Sequence, residues 1–144
     1  MFSKSCEYAI KALIFLGQES NENKKVCVKT ISSAIDAPQH FVAKILQDLT
    51  KKKLLKSTKG PNGGFYVDEE NSKNSLADII KAIDGTKIYS QCELGLKECS
   101  EKNPCPVHHE YKNIKLNLIK MIENNTISTF NTQSNLGKYF LKND

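Results

Sequence analysis

Arginine is missing from this chain of 144 residues: all 21 basic residues are lysine. The planar guanidinium that most often reads guanine edges with two parallel hydrogen bonds is therefore unavailable. If the chain reads nucleic acid, base contacts must come from Lys, Gln, His or Asn side chains, or from the shape of the duplex. Apolar runs of membrane-spanning length are missing too, which excludes a helical membrane span. The start, Met1 to Glu7, leads into a mixed, charged stretch. It lacks the charged-then-apolar order and the small-residue cleavage site of a secretory signal, so a cytoplasmic location is expected. No internal repeat, low-complexity segment, nucleotide-binding glycine loop or catalytic triad is visible, which argues against an enzyme. Apolar residues make up 39% of the chain, enough for a modest core.

What is present is uneven in its placement. Five cysteines form an odd set that does not suit a complete disulfide framework, least of all in a reducing cytosol. The formal charge of +5 is mild, but residues 44–59 carry six lysines (Lys44, Lys51, Lys52, Lys53, Lys56 and Lys59) against the single Asp48. A charge run alone marks a solvated face. It speaks for nucleic acid only when a recognition motif sits in the same place.

Such a motif is there. Ala9, Ala12, Leu13 and Leu16 recur at helical spacing, with Tyr8 and Phe15 beside them, and predict a helix over 4–17 that Gly17 ends. A polar loop over 18–25 and a short extended Val26-Cys27-Val28 follow. A brief helix over 29–35 turns Ile31, Ala34 and Ile35 inward, Asp36-Ala37-Pro38 breaks the chain, and a longer helix runs over 38–52 with Pro38 in its first turn. Phe41, Val42, Ile45, Leu46 and Leu49 form its apolar stripe; Gln39, His40, Ala43, Lys44, Gln47 and Lys51 lie opposite. A short helix, a turn and a longer helix with a polar N-terminal face make a helix-turn-helix, whose second helix enters the major groove. Strands over 54–59 and 65–67 then flank Gly60-Pro61-Asn62-Gly63-Gly64, a turn dense in glycine, proline and asparagine. This hairpin directly after the recognition helix reads as a wing, with Lys59 at its tip.

The fold class is thus mainly α with a small β-hairpin wing: a winged helix-turn-helix domain plus a long dimerisation helix. Leu76, Ile79, Ile80 and Ile83 predict a helix over 75–84 that Gly85 stops. Residues 86–106 lose periodicity and read as a site loop. Val107, Tyr111, Ile114, Leu118 and Met121, spaced 4, 3, 4 and 3, predict a long helix over 107–124 with a heptad seam that Ile119 and Ile122 widen. A second copy of the same helix is its expected partner. Thr126 caps a last short helix over 127–133, and the tail from Gln133 to Asp144 is polar apart from Leu136, Tyr139, Phe140 and Leu141. The expected organisation is a DNA-binding domain over 1–85, a metal-binding loop over 86–106, and a dimerisation helix with tail over 107–144.

Within the loop, Cys92, Cys99 and Cys105 read C-x6-C-x5-C, and His108 and His109 follow at once. Three soft thiolates with a histidine or carboxylate suit an iron–sulfur cluster or zinc. Zinc sites more often pair their ligands across two to four residues, so these longer gaps favour a polynuclear cluster, with zinc and unligated redox thiols as the alternatives. Cys6 and Cys27, far from the trio, read as small buried hydrophobes.

These features together resemble the IscR/NsrR-type winged-helix regulators, bacterial sensors of iron–sulfur status, nitric oxide or redox state. The resemblance spans residues 1–135. It rests on Tyr8-Ala9, on Leu54-Leu55 after the third helix, on the wing Lys59-Gly60-Pro61-Asn62-Gly63-Gly64-Phe65, on Ala82-Ile83-Asp84-Gly85, and on three cysteines before a long helix. It implies a homodimer on a double-stranded DNA operator and a [2Fe–2S] or [4Fe–4S] cluster on Cys92, Cys99 and Cys105. It implies a fourth, non-cysteine ligand: a histidine three residues past the last cysteine, which is His108 here, or an acidic residue of the partner's first helix, which corresponds to Glu7. The chain departs from the family in a first cysteine gap of six where five is familiar, in Lys59 where arginine often stands, and at Pro38, His40 and Ala43 on the recognition helix.

The expected mechanism has Lys44, Lys51, Lys52, Lys56 and Lys59 neutralising phosphates, with the wing backbone at Gly60 beside them. Gln39, His40, Lys44 and Gln47 reach base edges. Cluster loss frees the loop and shifts the two recognition helices. The alternative is a cluster-free or zinc-bound winged-helix regulator controlled by a partner protein or a small metabolite.

Overall fold

Helix α1 spans Lys4–Glu19 and runs past Gly17, where the sequence pattern places its end. The reason is tertiary. A Cβ on Gly17 would lie 2.0 Å from Asn131 Nδ2 and 2.8 Å from Ile127 Cγ2, so this glycine is the point where a 3-10 helix at Ile127–Asn131 lies against α1. Close approach, not termination, accounts for it. The computed structural model describes residues 1–19, 24–132 and 138–143. Leu136 and most of the polar loop after α1 lie outside these.

Helix α2 (Val28–Ile35) and helix α3 (Gln39–Lys51) are joined at Asp36, whose φ of 51° puts a non-glycine residue in the left-handed region and turns the chain sharply. Pro38 is extended and stands at the N-cap just outside α3, one residue ahead of the first turn in which the sequence pattern places it. The inward faces of α1, α2 and α3 pack Leu13, Leu16, Ile31, Ile35, Leu46 and Leu49 out of contact with water. Each such side chain contributes about 1.5–3 kcal/mol through burial. Phe41 departs from its predicted place in the apolar stripe: it is 48% exposed and sits beside His40, ring centroids 4.9 Å apart. It lies on the flank of α3, a quarter turn from the buried centre line.

Strands β1 (Lys56–Thr58) and β2 (Gly64–Tyr66) form the antiparallel wing, shorter than the sequence suggests. Val26 adds a one-residue third strand by exchanging backbone hydrogen bonds with Phe65, 2.9 and 2.8 Å, which ties the wing to the start of α2. A short helix, α4 (Glu69–Ser72), escapes the sequence reading. Asp68 and Asn71 cap it reciprocally, and the Asn71 amide donates to Lys53 O.

Helix α5 (Leu76–Asp84) starts at a Ser75–Asp78 capping box. A single turn, α6 (Lys87–Ser90), follows Gly85. Helix α7 (His108–Asn124) lies against α5, and its far end is stitched to the start of α5: Leu76 N–H donates to Asn125 O and Ile127 N–H to Asn74 O. Ile122 and Ile127 join the same core as α1. Among the described residues, no helix is long and apolar enough to cross a membrane.

Candidate metal centre and nucleic-acid interface

The residues before α7 form a series of tight turns instead of a regular element. Gly95 N–H donates to Cys92 O, Ser100 and Asn103 exchange backbone hydrogen bonds, and His108 N–H donates to Cys105 O. Three turns in succession fold the loop back on itself, so residues separated by six and five positions converge. The Sγ atoms of Cys92, Cys99 and Cys105 all lie within 4.8 Å of one another, and those of Cys92 and Cys105 are 3.7 Å apart. Cys105 is buried, and the other two are half-buried.

His108 enters from the first turn of α7. Its Nδ1 is 3.2 Å from Cys99 Sγ, and its Nε2 faces Glu101 Oε1 at 3.3 Å. Glu101 is held in turn by Lys112 at 2.6 Å. That ammonium, with His108 second, draws the Glu101 carboxyl below the ordinary carboxylate range. His109 is exposed, edge-on to His108. Glu7 stands outside the thiol group and pairs with Lys4 at 3.2 Å on α1.

The thiols differ electrostatically. Backbone N–H groups of Leu96 and Leu94 point at Cys92 and lower its pKa, partial burial opposing them. The Cys105 backbone N–H pulls Cys99 down, but burial and the neighbouring Cys105 and Cys92 thiols outweigh it, so Cys99 ends raised. Such a set favours thiolate at Cys92 before Cys99, and thiolates brought this close repel one another unless a cation balances them. Glu101 had no signal in the sequence, because an irregular loop has no period from which to read its contact with Lys112 on α7.

The outward face of α3 carries the residues expected to meet DNA. His40, Lys44, Gln47 and Lys51 share it and are exposed, and Gln39 is exposed toward its edge. Lys59 and Gly60 stand exposed at the wing tip. Lys56 is half-buried, with Asp68 at 4.0 Å. Lys52 points elsewhere: its ammonium bonds Asp48 at 3.1 Å and the Ala82 carbonyl, bracing α3 against α5.

A family model described as Rrf2, iron-dependent transcriptional regulator, matches residues 2–132. The chain belongs to the Rrf2 family. Among its relatives is an HTH-type transcriptional regulator of Aquifex aeolicus, 34% identical over 129 residues that cover 88% of each chain. The regulator NsrR of Oceanobacillus iheyensis is 24% identical over 86% of this chain and 84% of its own. The structure of CymR, described as the global cysteine regulator of B. subtilis, superposes with a TM-score of 0.74 at 17% identity, covering 91% of this chain and 95% of that one. At that identity the likeness speaks to the fold, which is the Rrf2 winged helix. This Rrf2 chain is a transcriptional regulator and not an enzyme.

Proposed function

We propose that the chain binds a double-stranded DNA operator as a homodimer in the cytoplasm, and that an iron–sulfur cluster on Cys92, Cys99 and Cys105 sets the affinity. The observation that carries this reading is the convergence of three thiols with His108, whose ring nitrogen lies 3.2 Å from Cys99. Soft thiolates with one imidazole are a donor set suited to iron–sulfur ligation, and the family description names iron dependence. His108 is the better fourth ligand, since it already faces the thiols within one chain, whereas Glu7 would have to come from a partner. When bound, a cluster supplies iron that responds to oxidation and to nitric oxide.

The chain's own residues divide the work between the DNA-binding part over 1–85, the loop over 86–106 and the helix and tail over 107–144. Lys44, Lys51, Lys56 and Lys59 neutralise phosphates, and His40, Gln47, Lys44 and Gln39 reach base edges. Lys52, occupied by Asp48 and Ala82, contributes less than the sequence suggests. Val107, Ile114 and Met121, all exposed and seven residues apart, form a stripe along α7 suited to a second copy.

The test is absorption, iron and acid-labile sulfide analysis of anaerobically purified protein, beside Cys92→Ala, Cys99→Ala, Cys105→Ala, His108→Ala and Glu7→Ala. Colour lost in all three cysteine variants supports the cluster. Loss at His108 but not at Glu7 supports the in-chain ligand. A protein that stays colourless and free of iron under every preparation would overturn the cluster.

A further inference from the structure

Phe41 stands in the first turn of α3, which begins at Gln39, and its ring stays exposed. Among the described residues, neither the core nor the partly buried side chains packed against it include Phe41. The ring lies beside that of His40 and borders a groove that Lys44, Gln47 and Lys51 also line. Three residues of helix turn through about 300°, so Phe41 lies only about 60° around the axis from Lys44. Ile45 and Ile83 add an apolar wall to the groove, and Asp48, the carboxylate on its edge, is held by Lys52. The groove is therefore apolar on the Phe41 side and cationic at its lysines. A polyanion that displays an apolar group fits that combination.

In the major groove, base pairs display hydrogen-bond donors, acceptors and one apolar group, the C5-methyl of thymine. The side chains that reach these edges come from the N-terminal part of a recognition helix, where Phe41 stands. The chain has no arginine, the side chain best shaped to read guanine with two parallel bonds, so its readout leans on other base features. We propose that Phe41 is a specificity-determining residue whose ring packs on the C5-methyl of one thymine in each operator half-site. This rests on the reading above that α3 enters the major groove of an operator. His40, its ring centroid 4.9 Å from that of Phe41, sets a hydrogen-bonding ring beside the apolar one. A thymine edge has the same pairing, an O4 acceptor next to the methyl. Lys51 and Lys59 on the phosphates supply affinity that is blind to sequence and falls with salt. Phe41 carries no charge, so the discrimination it supplies is independent of salt.

The experiment uses anaerobically purified full-length protein and the duplex it selects from a randomised pool. Each thymine of that duplex is replaced in turn by deoxyuridine, which removes only the methyl. With the wild type, we expect one position in each half-site to lose affinity about fourfold, the effect of withdrawing one apolar carbon from contact. The loss should be the same at low and high salt. Phe41→Ala should bind the thymine duplex more weakly and bind the deoxyuridine duplex equally well. Phe41→Leu, which keeps an apolar side chain, should retain part of the distinction. Lys59→Gln should weaken both duplexes alike and keep the distinction whole. A wild type indifferent to every replacement overturns the assignment, whatever the variants do. So does Phe41→Ala that still loses about fourfold at the same position. Either result leaves operator binding standing. If the protein enriches no duplex at all, the operator-binding reading falls and the assignment falls with it.

Discussion

Two cysteines outside the loop trio show how far single residues can be read from a chain. Cys6 and Cys27 both suggest buried hydrophobes, and Cys6 is one: it is fully buried beside Asp84, and burial pushes its thiol up to about 12. Cys27 departs from that reading. It is exposed ahead of α2, where the Thr30 hydroxyl lies 3.3 Å from its Sγ and lowers its pKa. The thiolate is the nucleophile, and at neutral pH a lowered pKa means a larger thiolate fraction, a raised one almost none. Brief iodoacetamide treatment of the native protein, read by peptide mass, should therefore label Cys27 well before Cys6. Equal labelling would contradict both environments. Gly17 is the other position where identity misleads. An alanine there gains helix propensity but must displace the fully buried Ile127 as well as Asn131. Gly17→Ala should cost a net of about 1–2 kcal/mol in denaturant unfolding, where propensity alone predicts a gain.

At the level of elements, the helices were legible and their neighbours were not. Periodic apolar spacing located α1, α2, α3, α5 and α7 to within two residues at each end, and the glycine-rich turn located the wing. The sequence has no equivalent signal for α4, whose cap uses Asp68 and Asn71, or for the turns that bring Cys92, Cys99 and Cys105 together. The heptad on α7 proved to be two stripes. Leu118 and Ile122 lean toward the chain's own core and Tyr111 toward the loop that carries Cys92, whereas Val107, Ile114 and Met121 remain exposed. A period of seven cannot tell these faces apart, because they sit less than a quarter turn from one another. If the exposed stripe joins two copies, the double variant Ile114→Glu, Met121→Glu should sediment as a monomer. Its unfolding midpoint, measured on the monomer, should move little, since surface changes usually stay within about 0.5 kcal/mol. An unchanged sedimentation coefficient would place the dimer contact elsewhere.

For the molecule as a whole, the lysines divide by what else they touch. Each phosphate contact contributes about 0.9 to the slope of log affinity against log salt. Lys59→Gln at the wing tip should reduce the operator-binding slope by about one unit per half-site. The same change at Lys52, whose ammonium is held by Asp48 and Ala82, should leave the slope nearly constant. Identical slopes for wild type and Lys59→Gln would remove the wing from the interface. The two ends of α7 are also held differently. Its C-terminal end is anchored by backbone hydrogen bonds to α5, part of the core that carries α3, while its N-terminal end carries His108 beside the Cys99 thiol. Seventeen residues make a rod about 25 Å long. With one end fixed, a change at the centre acts on the rod as a force at the tip of a lever, and the fulcrum lies where the DNA-binding core begins. A tilt of about 5° displaces the His108 end by about 2 Å along such a rod, while the anchored end turns almost in place and converts that displacement into torque on the core.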